Sequence, residues 1–304
     1  MHEQAVVANL TGKSVLVEYI GIAKPGIVGL TLMAALTGIY FGNPGIHPDW
    51  QLILMTLVTL GLATAGACMI NNAFDRDIDA LMKRTSTRAV AAGKIPAKDA
   101  MITGLLLAFV SVLWMGAMVN PLAAMVTSVG VIGYAGVYTM LAKRRTPWAN
   151  QLGGIAGAVP PMVGYVAVTN ELGAAAWTLF LIMVVWQQPH ALSLALKYRK
   201  DYARAGVPVI PVAKGVAATK KRIAMYCAAL IPMAILPYAF GMAGDFYLAT
   251  AIIFSMAFFV MSIRFLRSEK DCDMRLFAFS IIYLIAVFGA MVVNANPIVN
   301  AVNL

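Results

Sequence analysis

Charged residues are scarce in this chain. Asp, Glu, Lys and Arg make up only 12% of its 304 residues, and only 13 residues are acidic. Apolar residues make up 61%, whereas water-soluble proteins contain about 45–50%. So few charges cannot cover a water-exposed surface. The composition therefore predicts an integral membrane protein that is surrounded by membrane lipid and has little mass outside the membrane.

Cysteine is also scarce. The three cysteines, Cys68, Cys227 and Cys272, match no metal-binding spacing and argue against a disulfide framework. The first residues contain neither a cleavable secretory signal nor an Arg/Ser-rich transit peptide. We therefore expect a protein of the bacterial inner membrane rather than one imported into an organelle.

Long polar stretches are absent, and apolar segments dominate instead. Nine segments of about 18 residues or more predict nine transmembrane helices and an all-α membrane protein. The predicted spans are residues 19–41, 50–71, 99–118, 121–141, 150–168, 173–196, 223–242, 246–266 and 275–295.

The basic residues lie on one side of these helices. The 23 Lys and Arg residues all fall in the N-terminal region or in the loops after helices 2, 4, 6 and 8, and the intervening loops and the C-terminal tail have none. By the positive-inside rule the N-terminus is cytoplasmic and the C-terminus periplasmic. This distribution explains the net charge of +10 without a nucleic-acid partner.

Only two loops are long, at about residues 75–98 and 197–222, and both are predicted to face the cytoplasm. Residues 1–304 show no second, soluble domain. We therefore expect a single membrane domain whose active face is cytoplasmic.

The first of these loops begins with a regular acidic motif. Asn71, Asp75 and Asp79 recur every four residues, and on a helix each step turns about 400°, so the three share one stripe. Oxygen ligands of this kind suit Mg²⁺, which keeps open positions for substrate phosphates. Lys83, Arg84 and Arg88 follow and would hold the anion. The alternative is a solvated helix end, which is our interpretation of Asp77.

The second loop begins with Lys197, Lys200 and Asp201. Alone, this segment is a basic flank with an incidental acid. Paired with the first motif, Asp201 would supply a second metal ligand, and Lys200 or Lys197 would clamp a phosphate.

His190 is the only histidine inside a predicted span, in the sequence Trp-Gln-Gln-Pro-His at residues 186–190. It could make a helix–helix hydrogen bond, contact a substrate, coordinate an iron or move a proton. The residues alone leave these four roles open.

Two further segments carry weaker signals. Tyr138, Lys143 and Arg144 at the end of helix 4 are typical of an interfacial belt and a topology signal. In helix 5, Pro160 and Pro161 predict a break or kink near the middle of the membrane.

Several strings together resemble the UbiA-like intramembrane prenyltransferases and, within them, the branch that modifies heme. The strings are NNAFDRDID (71–79), DRDIDALMKRT (75–85), Tyr138-Thr139 with KRRT (143–146), GGIAGAVPP (153–161), WQQPH (186–190) and DYARAGVPVIP (201–211). The first marks only the superfamily, whereas the WQQPH and DYARAGVP strings are far more specific. The resemblance covers all nine helices.

The resemblance implies nine helices around a central cavity that opens to lipid. It implies transfer of a farnesyl group from farnesyl diphosphate to a vinyl group of heme B, with addition of water, giving heme O. Mg²⁺ would be held by Asn71, Asp75, Asp79 and Asp201. Diphosphate would be neutralised by Lys83, Arg84, Arg88, Lys143, Arg144, Lys197 and Lys200, and heme would face His190, Trp186 and Tyr138.

Two departures from the family pattern stand out. The second motif has Lys200 beside Asp201 where the wider superfamily has paired acids, and Ala191 follows His190 where the heme branch has an aromatic residue. Two rival functions stay open: prenyl transfer to an aromatic or quinone precursor, and cation-coupled transport. Whether heme O passes to a heme A synthase or to a terminal-oxidase assembly protein is also open.

Overall fold

The computed structural model describes residues 12–43 and 49–296, and these are almost entirely helical. The predicted orientation of the chain ends concerns residues 1–11 and 297–304, which lie outside the described residues. The elements are α1 (Gly12–Ile22), α2 (Pro25–Gly42), α3 (Trp50–Phe74), α4 (Arg76–Leu81), α5 (Ala97–Met118), α6 (Pro121–Val131), a π-helical segment (Ile132–Ala142), α7 (Ala149–Gly157), α8 (Val159–Thr169), α9 (Ala174–Lys197), α10 (Arg199–Arg204), α11 (Ile210–Ala213), α12 (Gly215–Ala239), α13 (Asp245–Arg267) and α14 (Met274–Val293).

Nine spans in the described part of the chain are long and apolar enough to cross a membrane. In two of them two elements follow each other: α6 with the π-helical segment, and α7 with α8. The predicted all-α fold and its nine helices are confirmed.

The predicted and observed starts of the spans differ most where basic residues lie at or near the start of a helix. The first span begins at Pro25 rather than residue 19, because Lys24 adopts a left-handed conformation (φ 57°) that separates α1 from α2. The seventh begins at Gly215 rather than residue 223, because α12 includes Lys220, Lys221 and Arg222, which lower the local hydropathy.

The predicted break in helix 5 is present. Helix α7 ends at Gly157 and α8 begins at Val159, with Ala158 between them. Pro160 lies in the first turn of α8, where its missing N–H costs no intrahelical hydrogen bond.

The π-helical segment was not predicted. Its wider turn is visible where the N–H of Lys143 bonds to the carbonyl of Tyr138, five residues earlier, at 2.9 Å. The side-chain hydroxyl of Thr139 also donates to a carbonyl five residues earlier, that of Tyr134, at 2.9 Å. The rings of Tyr134 and Tyr138 stack with 5.5 Å between their centroids. Such wide turns are frequent at functional sites.

Backbones meet directly where α2 crosses α8. A Cβ atom added to Gly38 would overlap the carbonyl oxygen of Pro161, and one added to Gly164 would overlap the carbonyl oxygen of Ala35. Small residues let the two backbones approach this closely. Van der Waals packing of this kind is one of the interactions that hold helices together in lipid.

Replacing Gly38 with alanine should therefore separate α2 from α8 and destabilise the protein by about 1–3 kcal/mol. Thermal unfolding of the purified protein in detergent would measure this loss. Gly289→Ala on α14 is the matched control, since an added Cβ there meets no atom within 4 Å. Equal melting temperatures for the two variants would contradict the packing argument.

Candidate functional site

A cavity of about 420 Å³ lies within the bundle and is lined mainly by apolar side chains from α2, α3, α6, the π-helical segment, α7, α8 and α9. Tyr138, Trp186 and His190, which the family resemblance places at the heme, all line it. Tyr202 of α10 also lines the cavity, which places this helix of the second long loop at one of the cavity walls.

The acidic stripe continues across a helix junction. Asp75 ends α3 and precedes α4, yet its N–H bonds to the carbonyl of Asn71 (3.0 Å) and the N–H of Asp79 bonds to the carbonyl of Asp75 (2.8 Å). The register of four residues is therefore kept. Asn71, Asp75 and Asp79 are only 3%, 0% and 2% exposed, which is unlike a solvated helix end.

Each buried carboxylate of this stripe has a basic partner. Lys143 forms an ion pair with Asp75 Oδ2, and Arg88 pairs with Asp79 Oδ2 at 2.7 Å. Burial alone would lower the pKa of Lys143, but the neighbouring Tyr138 hydroxyl and the Asp75 carboxylate raise it above its ordinary value. These two ion pairs, which we call the array, therefore place two positive charges beside two negative ones.

Asn71 connects this array to the first helices. Its Nδ2 donates to Asp75 Oδ2 (2.7 Å) and to the hydroxyl of Thr139 (3.1 Å), while its Oδ1 accepts from Lys24 Nζ (2.6 Å). Burial lowers the pKa of Lys24 to about 8. Sequence reasoning treated Lys24 only as a topology signal. The available clue was that Lys24 is a charged residue inside the predicted span 19–41.

One oxygen of the stripe has no hydrogen-bond partner. Asp75 Oδ1 is buried and accepts no hydrogen bond from any described residue. The Nη2 of Arg144 lies 4.0 Å from this oxygen. Arg144 instead donates to both oxygens of Asp77 (2.6 and 2.7 Å) and to the carbonyl of Phe74 (2.8 Å). Hydrogen bonding from Arg144 lowers the pKa of Asp77, whose side chain is 60% exposed.

The two long loops, 75–98 and 197–222, contact each other. Asp201 is 8% exposed; its Oδ2 accepts from the backbone N–H of Arg84 (3.3 Å), and its Oδ1 accepts from Arg204. A small apolar cluster beneath this contact joins Ile78, Met82, Val207 and Val209.

The four remaining predicted phosphate ligands belong to the same two loops. Lys83, Arg84, Lys197 and Lys200 are exposed, and the guanidinium of Arg84 lies 4.8 Å from the Tyr198 ring centre. Within residues 12–43 and 49–296, no three His, Cys, Asp or Glu side chains are grouped closely enough to hold a metal. Asp75, Asp79 and Asp201 therefore do not form one such group in the described part of the chain.

His190 is held firmly in the wall of the cavity. Its ring lies between Trp186 and Phe277, with centroid distances of 5.1 and 4.5 Å. The Ser280 hydroxyl donates its one hydrogen to the carbonyl of Phe277 (2.6 Å), so it accepts from Nδ1 of His190 (2.7 Å). His190 therefore makes the helix–helix hydrogen bond that was one of its four predicted roles. Its Nε2 carries a lone pair, which accepts no hydrogen bond from the described residues.

Comparisons with known proteins agree on the family. A model of the UbiA prenyltransferase family matches residues 31–294. A protoheme IX farnesyltransferase of Aquifex aeolicus is 41% identical over 93% of this chain and 97% of its own length. One from Neorickettsia sennetsu is 40% identical over 91% of this chain and 92% of its own length.

Solved structures share the fold at low identity. A structure described for digeranylgeranylglyceryl phosphate synthase has a TM-score of 0.73 and 18% identity, and covers 91% of this chain and 97% of that one. A UbiA homolog from Archaeoglobus fulgidus bound to GPP and Mg²⁺ has a TM-score of 0.62 and 16% identity, covering 90% and 99%.

The pair of Asp75 and Lys143 can be tested by a double-mutant cycle. Asp75→Asn or Lys143→Gln alone leaves a buried charge without its partner and should cost about 3–5 kcal/mol, whereas the double variant should cost less than the sum. Thermal unfolding without ligand gives these values. Asp271→Asn, which breaks an exposed pair with Arg199, should cost under about 1 kcal/mol. Additive losses at Asp75 and Lys143 would contradict the coupling.

Proposed function

The chain belongs to the UbiA prenyltransferase family, and we propose that it transfers the farnesyl group of farnesyl diphosphate to a vinyl group of heme B, with addition of water, giving heme O and diphosphate. Relatives named protoheme IX farnesyltransferase that match it over most of its length support this acceptor. The observation that carries the proposal is an array of buried carboxylates and bases beside an apolar cavity of about 420 Å³. The protein is thus a multi-pass membrane prenyltransferase.

The residues present fit a magnesium ion. Mg²⁺ in proteins commonly takes one or two carboxylates and completes its shell with water and substrate phosphate. Asp75 Oδ1 is a buried anionic oxygen without a hydrogen bond from the described residues, and it offers such a ligand. Asn71, Asp75 and Asp79 would hold the ion, and Asp201 would hold a second one. When bound, Mg²⁺ supplies positive charge that offsets the charge developing on diphosphate as its bond to carbon breaks.

The bases exchange partners when substrate binds. Lys143 and Arg88, which pair with Asp75 and Asp79 in the structure, turn their charge toward the diphosphate. Lys83, Arg84, Arg144, Lys197 and Lys200 complete this anion site, and Lys24 adds a charge from the opposite side of Asn71. Together these residues neutralise the leaving group.

The cavity accommodates the reacting carbon chain. Its apolar lining keeps bulk water from the allylic cation formed when the C1–O bond breaks. The stacked rings of Tyr134 and Tyr138 face this space and stabilise positive charge through their π faces. The vinyl group of heme B, positioned against His190, Trp186 and Tyr138, then attacks C1 of the farnesyl cation.

The proposal extends to the location of the whole chain. Residues 1–304 form one domain in the bacterial inner membrane, with the N-terminus cytoplasmic and the C-terminus periplasmic. Loops 75–98 and 197–222 then close the cytoplasmic end of the cavity. The alternation of basic and uncharged loops supports this orientation.

Asp75→Asn tests the catalytic assignment. In membranes supplied with heme B, farnesyl diphosphate and Mg²⁺, we expect the rate of heme O formation per folded protein to fall by at least about 10²-fold. Asp99→Asn, which removes an exposed acid at the start of α5, should keep the normal rate. An unchanged rate for Asp75→Asn would refute the assignment, and farnesyl diphosphate that is moved but not consumed would favour transport.

Removal of the metal gives a second test. Farnesyl diphosphate at 100 times its dissociation constant should stabilise the purified protein by about 2.7 kcal/mol in Mg²⁺. Because the ion would be held by both the acids and the substrate phosphates, a chelator should abolish most of this stabilisation. A melting temperature that rises equally with and without Mg²⁺ would contradict a shared metal.

A further inference from the structure

A glutamine amide lies in the apolar cavity, and the prenyl-transfer step described above does not use it. Gln187 lines the cavity, three residues before His190 on the same face of α9. Its Nε2 is buried and has no hydrogen-bond partner in the part of the chain that the structure describes. A buried amide costs free energy unless it has a partner, so this one is suited to bind a small polar molecule.

The opposite wall leaves room for this amide. A Cβ atom added to Gly157 of α7 would lie 2.5 Å from Gln187 Oε1 and 3.1 Å from its Nε2, and one added to Gly154 would lie 3.7 Å from Oε1. Both glycines line the cavity. The absence of a side chain at Gly157 therefore leaves the space in which the Gln187 amide lies.

His190 supplies an acceptor on the same face. Its Nδ1 hydrogen is committed to the Ser280 oxygen, and its ring is fixed between Trp186 and Phe277. The Nε2 lone pair is consequently available to a molecule held one helical turn away at Gln187. A site with an amide and an imidazole acceptor matches a water molecule, which donates and accepts hydrogen bonds.

We propose that the Gln187 amide binds the water that is added during heme O formation, and that His190 Nε2 accepts its proton. This inference rests on the proposed function. The vinyl electron pair forms the new carbon–carbon bond to farnesyl C1, diphosphate leaves with the C1–O electron pair, and a cation remains on the former vinyl carbon next to the heme ring. A lone pair of the bound water then forms the C–O bond, and one of its protons passes to His190.

The proposal separates prenyl transfer from hydration. Without a bound water, the cation loses a proton from the adjacent carbon and becomes an alkene that is lighter than heme O by one water. The sum of the two farnesylated hemes reports transfer, whereas their ratio reports water delivery.

The test is Gln187→Leu, with hemes extracted at neutral pH and separated by mass-resolved chromatography. We expect both products, with the ratio of alkene to hydrated product raised about tenfold or more relative to the unmodified protein. Gly157→Ala should shift the ratio in the same direction, because its methyl group displaces the flexible end of Gln187 without meeting backbone.

Gln188→Leu is the matched control. Gln188 neighbours Gln187 but does not line the cavity, and its Nε2 donates to the carbonyl of Val184. In the Gln188→Leu variant the ratio of alkene to hydrated product should equal that of the unmodified protein. An unchanged ratio in both Gln187→Leu and Gly157→Ala would overturn the proposal, as would loss of both products from folded Gln187→Leu protein. Neither product from the unmodified protein would instead refute the proposed function.

Discussion

The buried ion pair between Asp75 and Lys143 is the interaction on which the rest of the site depends. Two opposite charges removed from water are tolerable only when they are close and hydrogen-bonded, and here Asn71 supplies an additional bond to the Asp75 carboxylate. In the function we propose, the pair supplies an anionic oxygen for a metal and a cation for a phosphate. In that proposal this pair is one part of the charged end of the cavity, together with the pair of Arg88 and Asp79 and with Lys24.

Two irregular helices make this pairing possible. The junction at Asp75 lets the acidic stripe continue while α3 gives way to α4, and the π-helical segment brings Thr139 to Asn71 and the Tyr138 ring to within 5.9 Å of Lys143 Nζ. A regular helix over residues 132–142 would have rotated these side chains around its axis. The irregular backbone therefore determines the geometry of both the charged site and the aromatic wall.

The sequence predicted much of this arrangement, because lipid imposes simple rules. Nine apolar spans and the stripe of Asn71, Asp75 and Asp79 follow from length, hydropathy and helical periodicity. The π-helical segment could not be predicted, since nothing distinguishes it in composition from an apolar α-helix. Two contacts join residues far apart in sequence: Lys24 with Asn71, and Ser280 with His190. A local sequence pattern cannot predict such contacts.

The most direct test of the account is the heme content of membranes. The chain would be expressed in a heme-competent bacterial host that lacks its own heme O pathway, and the extracted hemes would be separated by mass-resolved chromatography. We expect a new heme with the mass of heme B plus one farnesyl group and one water. Heme B alone, from membranes that contain the folded protein, would contradict the account and point to a different acceptor on the same prenyltransferase scaffold.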